Sequence, residues 1–432
     1  MTRTAILGAG ALGLTVALRL AQRGDDVIVF EREPLPGGLA AGFEIEPGIW
    51  LDRFYHHLFA SDRHAIGLID ELGLGGDLLW RRPLTVTLRD GVPHQLDSPA
   101  SLLRFSPLPM GDRLRMGAWL AYLRALRRPD RLEGHTAADW VRRRMGDRAY
   151  DVVWGPLLQG KFGALADQIA MPWFWARVHD RTAQLGYLRG GFQRLYDRLA
   201  ERITEGGGTL RLGAEVREIR TDPSGGLRVE TASGESVSVD RVVSTLAVRL
   251  TCRLAPELPH EYRSRHEWGT AYGAHCLVLA LDRPLTQSYW MNVNDPGYPF
   301  MALVEHTNYM DRAEYGGRHL VYLGNYRPMD DPLLRLPTAE VAAQFSPHLA
   351  RINPEFRPDW VTDAWSFAAP FAQPIVTADY RDHIPPFETP VPGLWVASMF
   401  QVYPHDRGQN YSIELAERLV SRLGRSSSAN MR

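Results

Sequence analysis

The chain opens on a βαβ unit built around a glycine turn. Thr4–Leu7 is apolar and strand-like, and Gly8-Ala9-Gly10-Ala11-Leu12-Gly13 follows as a G-x-G-x-x-G. A helical pattern (Leu14, Ala17, Leu18, Ala21) runs to Gly24, a natural helix stop. Val27–Phe30 then reads as a second strand closed by Glu31. The glycines answer different physical needs. Gly8 permits the tight turn, Gly10 lets backbone approach a pyrophosphate, and Gly13 lets helix and strand pack closely. The helix N-terminus favours phosphate, and Glu31 is placed to accept hydrogen bonds from ribose hydroxyls. Strand, helix, second strand and terminal acid in register point to dinucleotide binding; the plainer reading is a βαβ unit without a ligand.

The rest of the composition narrows the field. The chain has 432 residues, 45% hydrophobic and 23% charged, with a net charge of -1. That length suggests two or three compact units at roughly 100–200 residues each. Balanced charge argues against nucleic acid as the main partner, because phosphate binding leaves a basic excess. Cys252 and Cys276 form no C-x-x-C and no Cys/His cluster, so neither a disulfide framework nor a metal site is expected. A strand-like segment starts just after Met1 and no apolar run approaches ~20 residues, so neither a signal peptide nor a membrane span is expected; a cytoplasmic protein is the default. Lys161 is the single lysine among the positive charges.

NAD and FAD share the opening fingerprint, and the residues after Glu31 separate them. They read Arg32-Glu33-Pro34-Leu35-Pro36-Gly37-Gly38-Leu39-Ala40. An acid ending the second strand, a basic residue and a Gly-Gly pair resemble the flavoprotein superfamily of amine oxidases, protoporphyrinogen oxidases, carotenoid desaturases and UDP-galactopyranose mutases. Three later segments resemble it too: Gly208–Ile219 and Asp240–Leu246 as strands returning to the FAD domain, and Gly393–Tyr411 leading into a helix over Ser412–Leu423 as its closing motif. The resemblance implies FAD as cofactor. Its contacts would be Gly8, Gly10, Ala11, Leu12, Gly13, Glu31, Arg32, Gly37, Gly38, Leu39, Asp52, Arg53, Val216, Thr245, Gly408, Asn410 and Tyr411.

The implied fold is α/β: a Rossmann-like FAD-binding domain of the glutathione-reductase type, interleaved with an α+β substrate domain on a mixed or antiparallel sheet. FAD-binding pieces would span 1–85, 200–270 and 386–432, and the substrate domain 86–199 and 271–385. Helices are expected over Asp112–Arg128, Thr136–Met145 and Ala149–Leu158. Strands are expected over Ala274–Leu281, Tyr289–Val293, Phe300–Val304 and Leu320–Leu323. No second G-x-G-x-x-G follows a strand, so no dedicated NAD(P)H domain is expected. Residues 102–131 mix apolar side chains with arginines, a pattern open to peripheral membrane contact but read first as a helix packed on the substrate domain with solvated arginines.

A flavin carries the difficult chemistry itself, so no triad or carboxylate pair is expected. In the stretch Leu51–Phe59, His56 or His57 could tune the flavin or shuttle a proton near pH 7, with one of the pair facing inward. Lys161, between two glycines after an apolar helix, is a candidate anion anchor or flavin contact. Arg181, Tyr187 and Arg189 in Arg177–Phe192 could bind phosphate or carboxylate. His405, Asp406 and Arg407 would stand at the mouth of the flavin pocket, and Tyr322, Tyr326 and Trp365 could cage a substrate. The catalytic candidates are thus His56, His57, Lys161, Tyr187 and Arg407. The expected activity is FAD-dependent oxidation of a small organic molecule, with hydride transfer to flavin N5 and reoxidation by oxygen or a quinone. A redox-neutral nucleotide-sugar mutase is the alternative, and a flavin-free binding protein on the same fold a third reading.

Overall fold

The computed structural model describes residues 1–267 and 269–429. Two sheets organise the described residues. The first is parallel and five-stranded, in the order Thr209–Leu212, Asp26–Glu31, Arg3–Leu7, Arg241–Ser244, Leu394–Val396. Alternation decides what each face meets. Ala5, Leu7, Ile28 and Phe30 face a small antiparallel meander (Val216–Thr221, Leu227–Thr231, Ser236–Val239) and share a core with its Ile219, Leu227 and Val229. Ile6, Val27 and Val29 face the opposite way, into a core with the helices Ala11–Gln22, Gln193–Glu205 and Gln409–Ala429.

The second sheet is seven-stranded and lies over that helical side of the molecule. Its order is Val361–Pro374, Ala271–Leu281, His319–Arg327, Ala302–Glu305, Trp290–Val293, Thr85–Arg89, Val92–Gln95. Neighbours are antiparallel except Trp290–Val293 with Thr85–Arg89, so the sheet is mixed. Cys276, Val278, Ala280 and Tyr322 point into the same core as Ile6 and Val29. Leu277, Leu279, Leu281 and Leu323 point outward under the helix Thr338–Ile352. One end of this sheet is capped by helices with their own core, among them Met110–Ala125, Ala137–Met145, Gly155–Phe162 and Met171–His179.

Several expected elements shift, each for a visible reason. The helix expected over Ala149–Leu158 is interrupted by a wide turn at Tyr150–Trp154 before Gly155–Phe162 begins. Pro156 has no N–H to give to the Val152 carbonyl. Asn294 Nδ2 donates to the Val152 and Val153 carbonyls instead, at 3.3 and 3.1 Å. Gly208–Ile219 is two strands, broken at Gly213, whose φ of +70° turns the chain. The closing helix starts at Gln409, directly after Gly408, rather than at Ser412. It runs to Ala429, so the serine-rich tail begins inside it; residues 430–432 lie outside the described ones.

In the arginine-rich stretch, Met110–Ala125 buries Met116 and Leu123, and exposes Met110, Leu114 and Tyr122. Many of its arginines act locally: Arg113 donates to the Leu103 and Leu108 carbonyls, Arg115 to those of Arg143 and Arg144, and Arg124 to that of Arg181. No helix among the described residues is long and apolar enough to cross a membrane.

Candidate active site

The glycine turns form one cradle. Gly8 N–H donates to the Phe30 carbonyl at 2.8 Å, seating the turn on the second strand. Gly13 has no room for a side chain: a Cβ there would stand 1.9 Å from the Gly8 carbonyl oxygen. Thr245, directly after the fourth strand of the parallel sheet, supports the turn by donating its hydroxyl to the Leu7 carbonyl at 2.7 Å. The second glycine pair docks on the first, with Gly37 N–H donating to the Ala9 carbonyl at 2.8 Å. A Cβ on Gly38 would lie 3.3 Å from Gly10 Cα. Gly37, at φ +120°, is pressed against Ala41 and Tyr196. Leu12 is buried beneath the turn, whereas Ala11 and Leu39 are partly open.

Above this cradle the helix Ala11–Gln22 begins without a side-chain cap, and a Cβ on Gly10 would meet nothing within 4 Å. An uncapped helix N-terminus over open space fits a diphosphate. Glu31 ties the two loops, its oxygens accepting from Ala9 N–H at 2.8 Å and Glu33 N–H at 3.0 Å. Each oxygen keeps a lone pair for a ribose hydroxyl. Arg32 is exposed and lines an open groove with Glu33, Ala214, Glu215 and Ser233, just before Val216. This arrangement fits the nucleotide end of FAD.

Away from the cradle, a cluster of cations gathers around one carboxylate, that of Asp406. It is fully buried, and it accepts from Lys161 Nζ at 2.7 Å, from Gln373 Nε2 at 2.8 Å and from Arg177. Burial alone would raise its pKa, but Arg177, Lys161 and Arg407 outweigh that and hold Asp406 well below the usual carboxylate range. Burial and the neighbouring Arg177 push the Lys161 ammonium well below its ordinary value. Lys161 is not in a loop: it sits in the last turn of Gly155–Phe162, which Gly163 ends at φ +51°. Its Nζ lies 5.0 Å from the Trp173 ring and 5.6 Å from the Tyr326 ring. Arg407 turns to the Tyr326 hydroxyl, 4.9 Å from that ring's centroid.

His56 and His57 lie on irregular chain rather than on a strand, and both are half-buried. Burial, then Arg407, lowers His56 to about 4; burial, then Arg181 and His56, lowers His57 to about 3. In both, burial favours the neutral ring. His57 packs at 5.2 Å from Phe59 and 5.7 Å from Trp290.

Other candidates fall away from the cluster. Tyr187 lies on the strand Leu185–Leu188, 1% exposed, with its hydroxyl toward Asp52 and its ring 4.7 Å from His306. Asp52 is buried, accepts from Phe192 N–H at 3.1 Å, and is pushed up to about 7 by burial. Arg53 donates to the Gly42 carbonyl at 3.0 Å. Asn410 accepts from His64 and Ala65 N–H at 2.9 and 3.1 Å, capping the helix Arg63–Glu71. Tyr411 stacks on His405 at 3.6 Å, beside Gly408 and the cluster. Of the three aromatics read as a cage, only Tyr326 joins the cluster. Tyr322 donates to the Asp52 carbonyl at 2.8 Å, and Trp365 packs on Phe43. Gln373 was not legible from the sequence, and Asp406 stood out only as a neighbour of Arg407.

A profile of the flavin containing amine oxidoreductases matches residues 13–405. The chain belongs to that family. The cofactor is FAD, for which the cradle is shaped. The chain is similar to a 15-cis-phytoene desaturase from Synechococcus elongatus, 24% identical over 59% of this chain and 60% of that protein. Its fold is similar to reduced UDP-galactopyranose mutase (TM-score 0.77, 16% identity, 98% of this chain and 96% of that one). It is also similar to an oxidoreductase from Methanosarcina mazei (TM-score 0.74, 20% identity, 96% and 99%).

Proposed function

We propose that this flavoprotein is an oxidoreductase that oxidises a small organic substrate, with oxygen or a quinone restoring the cofactor. The observation that carries the reading is the cradle of Gly8–Gly13 and Gly37–Gly38 beneath an uncapped helix, in a chain of the amine oxidoreductase family. Bound FAD supplies a two-electron acceptor that no side chain provides. The chain's own residues position and shield. Gly10 and Gly38 would let the cofactor backbone approach, Glu31 would accept from the ribose, and Thr245 keeps the turn in place. Arg407 and Lys161 stand against Tyr326, and Arg177 shares Asp406 with Lys161 beside Trp173.

The test is spectroscopic. The purified protein should show an oxidised-flavin absorption band that bleaches anaerobically with a substrate drawn from amines, porphyrinogens and related reduced compounds. Colour should return on admitting oxygen or a quinone. Conversion of a nucleotide sugar only after dithionite reduction, with no net electron transfer, would replace this reading with that of a mutase.

A further inference from the structure

The helix Met110–Ala125 turns part of its apolar surface away from the protein. Met116 and Leu123 are buried against the fold, yet Met110 is 53% exposed, Leu114 58% and Tyr122 43%. Ala118, Ala121 and Ala125 are exposed as well. At about 3.6 residues per turn these six positions share roughly a third of the helix circumference, opposite Met116 and Leu123. Leu103, in the neighbouring helix Pro99–Arg104, is 45% exposed, and its carbonyl accepts from Arg113 at 2.7 Å. Packing on the substrate domain accounts for Met116 and Leu123 but not for this outer stripe.

The flanks of the stripe are basic. Arg115 borders it on one side, bonded to the Arg143 and Arg144 carbonyls at 2.9 and 2.7 Å. Arg113 and Arg124 border it on the other, and they too donate to carbonyls. A carbonyl satisfies a guanidinium N–H but leaves the charge in place. Residues 101–150 hold eleven arginines and five acids, in a chain whose net charge is -1. Those acids are already paired: Asp112 with Arg148 at 3.6 Å, Asp130 with Arg128 at 2.9 Å, Glu133 with Arg381 at 3.3 Å, Asp139 with Arg143 at 3.3 Å and Asp147 with Arg142 at 3.2 Å. Arg104, Arg115, Arg124 and Arg127 are exposed and have none of these acids as a partner. Because both flanks are basic, a second copy laid stripe to stripe would set arginine against arginine. We propose that this face docks on an anionic lipid bilayer, with Met110, Leu114 and Tyr122 among the acyl chains and the flanking arginines on lipid phosphates. A helix of this kind lies in the interface rather than across it, its apolar face about 5–10 Å into the boundary between headgroups and acyl chains. The arginine stems cover apolar surface while each guanidinium offers a phosphate two parallel hydrogen bonds. The face stands on other elements than the glycine cradle, so the proposal goes beyond the oxidoreductase reading and does not depend on it.

The test is vesicle flotation of the FAD-loaded protein, with phosphatidylcholine vesicles that either lack phosphatidylglycerol or contain an equal part of it. Partition onto the anionic vesicles should exceed that onto the neutral ones by about tenfold or more and should weaken as salt rises. Leu114→Gln combined with Tyr122→Gln, both at exposed positions, should lower that partition by about tenfold, with melting temperature and flavin content unchanged. Arg104→Gln combined with Arg127→Gln should reduce the preference for anionic vesicles several-fold. A protein that does not float with the anionic vesicles overturns the proposal. Salt-sensitive partition that survives Leu114→Gln with Tyr122→Gln also overturns it, because the face would then serve a polyanion through charge alone. So does a dimer, seen by sedimentation velocity, that the same two substitutions dissolve, since the stripe would then belong to a second copy. Substrate bleaching of the flavin is read on the same preparations, so failure of the oxidoreductase reading is distinguishable from failure of this one.

Discussion

Gly10 and Gly13 are three positions apart and are glycine for different reasons. A Cβ at Gly13 would overlap the Gly8 carbonyl, whereas one at Gly10 would project into open space. Gly13→Ala is therefore expected to destabilise the fold by about 1–3 kcal/mol, as overpacking does. Gly10→Ala should change stability by less than about 1 kcal/mol, in line with other N-cap exchanges, yet lower the flavin content sharply. Urea unfolding together with the ratio of flavin to protein absorbance separates the two; a Gly10→Ala protein with full flavin would refute the cradle assignment. Asp52 gives a second residue-scale expectation. Its carboxyl rises from an ordinary 3.8 to about 7 in the fold, so the native state binds this proton more tightly than the unfolded chain. Its contribution is complete below pH 3.8, falls as pH rises, and is gone above about 7. The difference in unfolding free energy between wild type and Asp52→Asn should shift by up to about 4 kcal/mol between pH 4 and pH 8, in favour of the variant at high pH. A pH-independent difference would show that Asp52 does not titrate in this way.

At the scale of elements, the closing helix acts on its neighbour as well as on the cofactor region. Asn410, in its first turn, caps Arg63–Glu71 through two backbone N–H groups. Asn410→Ala should cost about 1 kcal/mol in urea unfolding, within the range of lost N-caps. No loss would mean that water replaces the cap without cost. This role was hidden in the sequence because the two helices are far apart along the chain, and local patterning records only contacts within an element. What was legible was local: the strand–glycine–helix run at Thr4–Gln22, the acid at Glu31, and the alternation in Ala271–Leu281. The break at Pro156 was legible in principle, since a proline inside a helical pattern withdraws an N–H. Its remedy, Asn294, was not, because it comes from a distant part of the chain. The same holds for the site. Lys161 stood out as a composition outlier, but its partner Asp406 and the third donor Gln373 are joined to it only by the fold.

At the scale of the whole molecule, the two sheets do not keep separate interiors. Ile6 and Val29 of the parallel sheet and Cys276, Val278 and Tyr322 of the mixed sheet belong to one core, with the first and closing helices between them. The strands of the parallel sheet also come from segments as distant as Arg3–Leu7 and Leu394–Val396, so neither sheet is complete until most of the chain is in place. Shared interior and interleaved chain both favour unfolding as one unit, although the length alone would suggest independent parts. FAD, bound to the folded state and not to the unfolded chain, should stabilise that unit by mass action, by about 4 kcal/mol when present at a thousandfold over its dissociation constant. Calorimetry of the FAD-loaded protein is therefore expected to give a single transition, with flavin release and loss of helical signal coincident. The flavin-free protein should melt lower, again in one step. Two separated transitions, or flavin release well below the loss of structure with no effect on its midpoint, would show that the cofactor region is an independent part rather than a share of a common core.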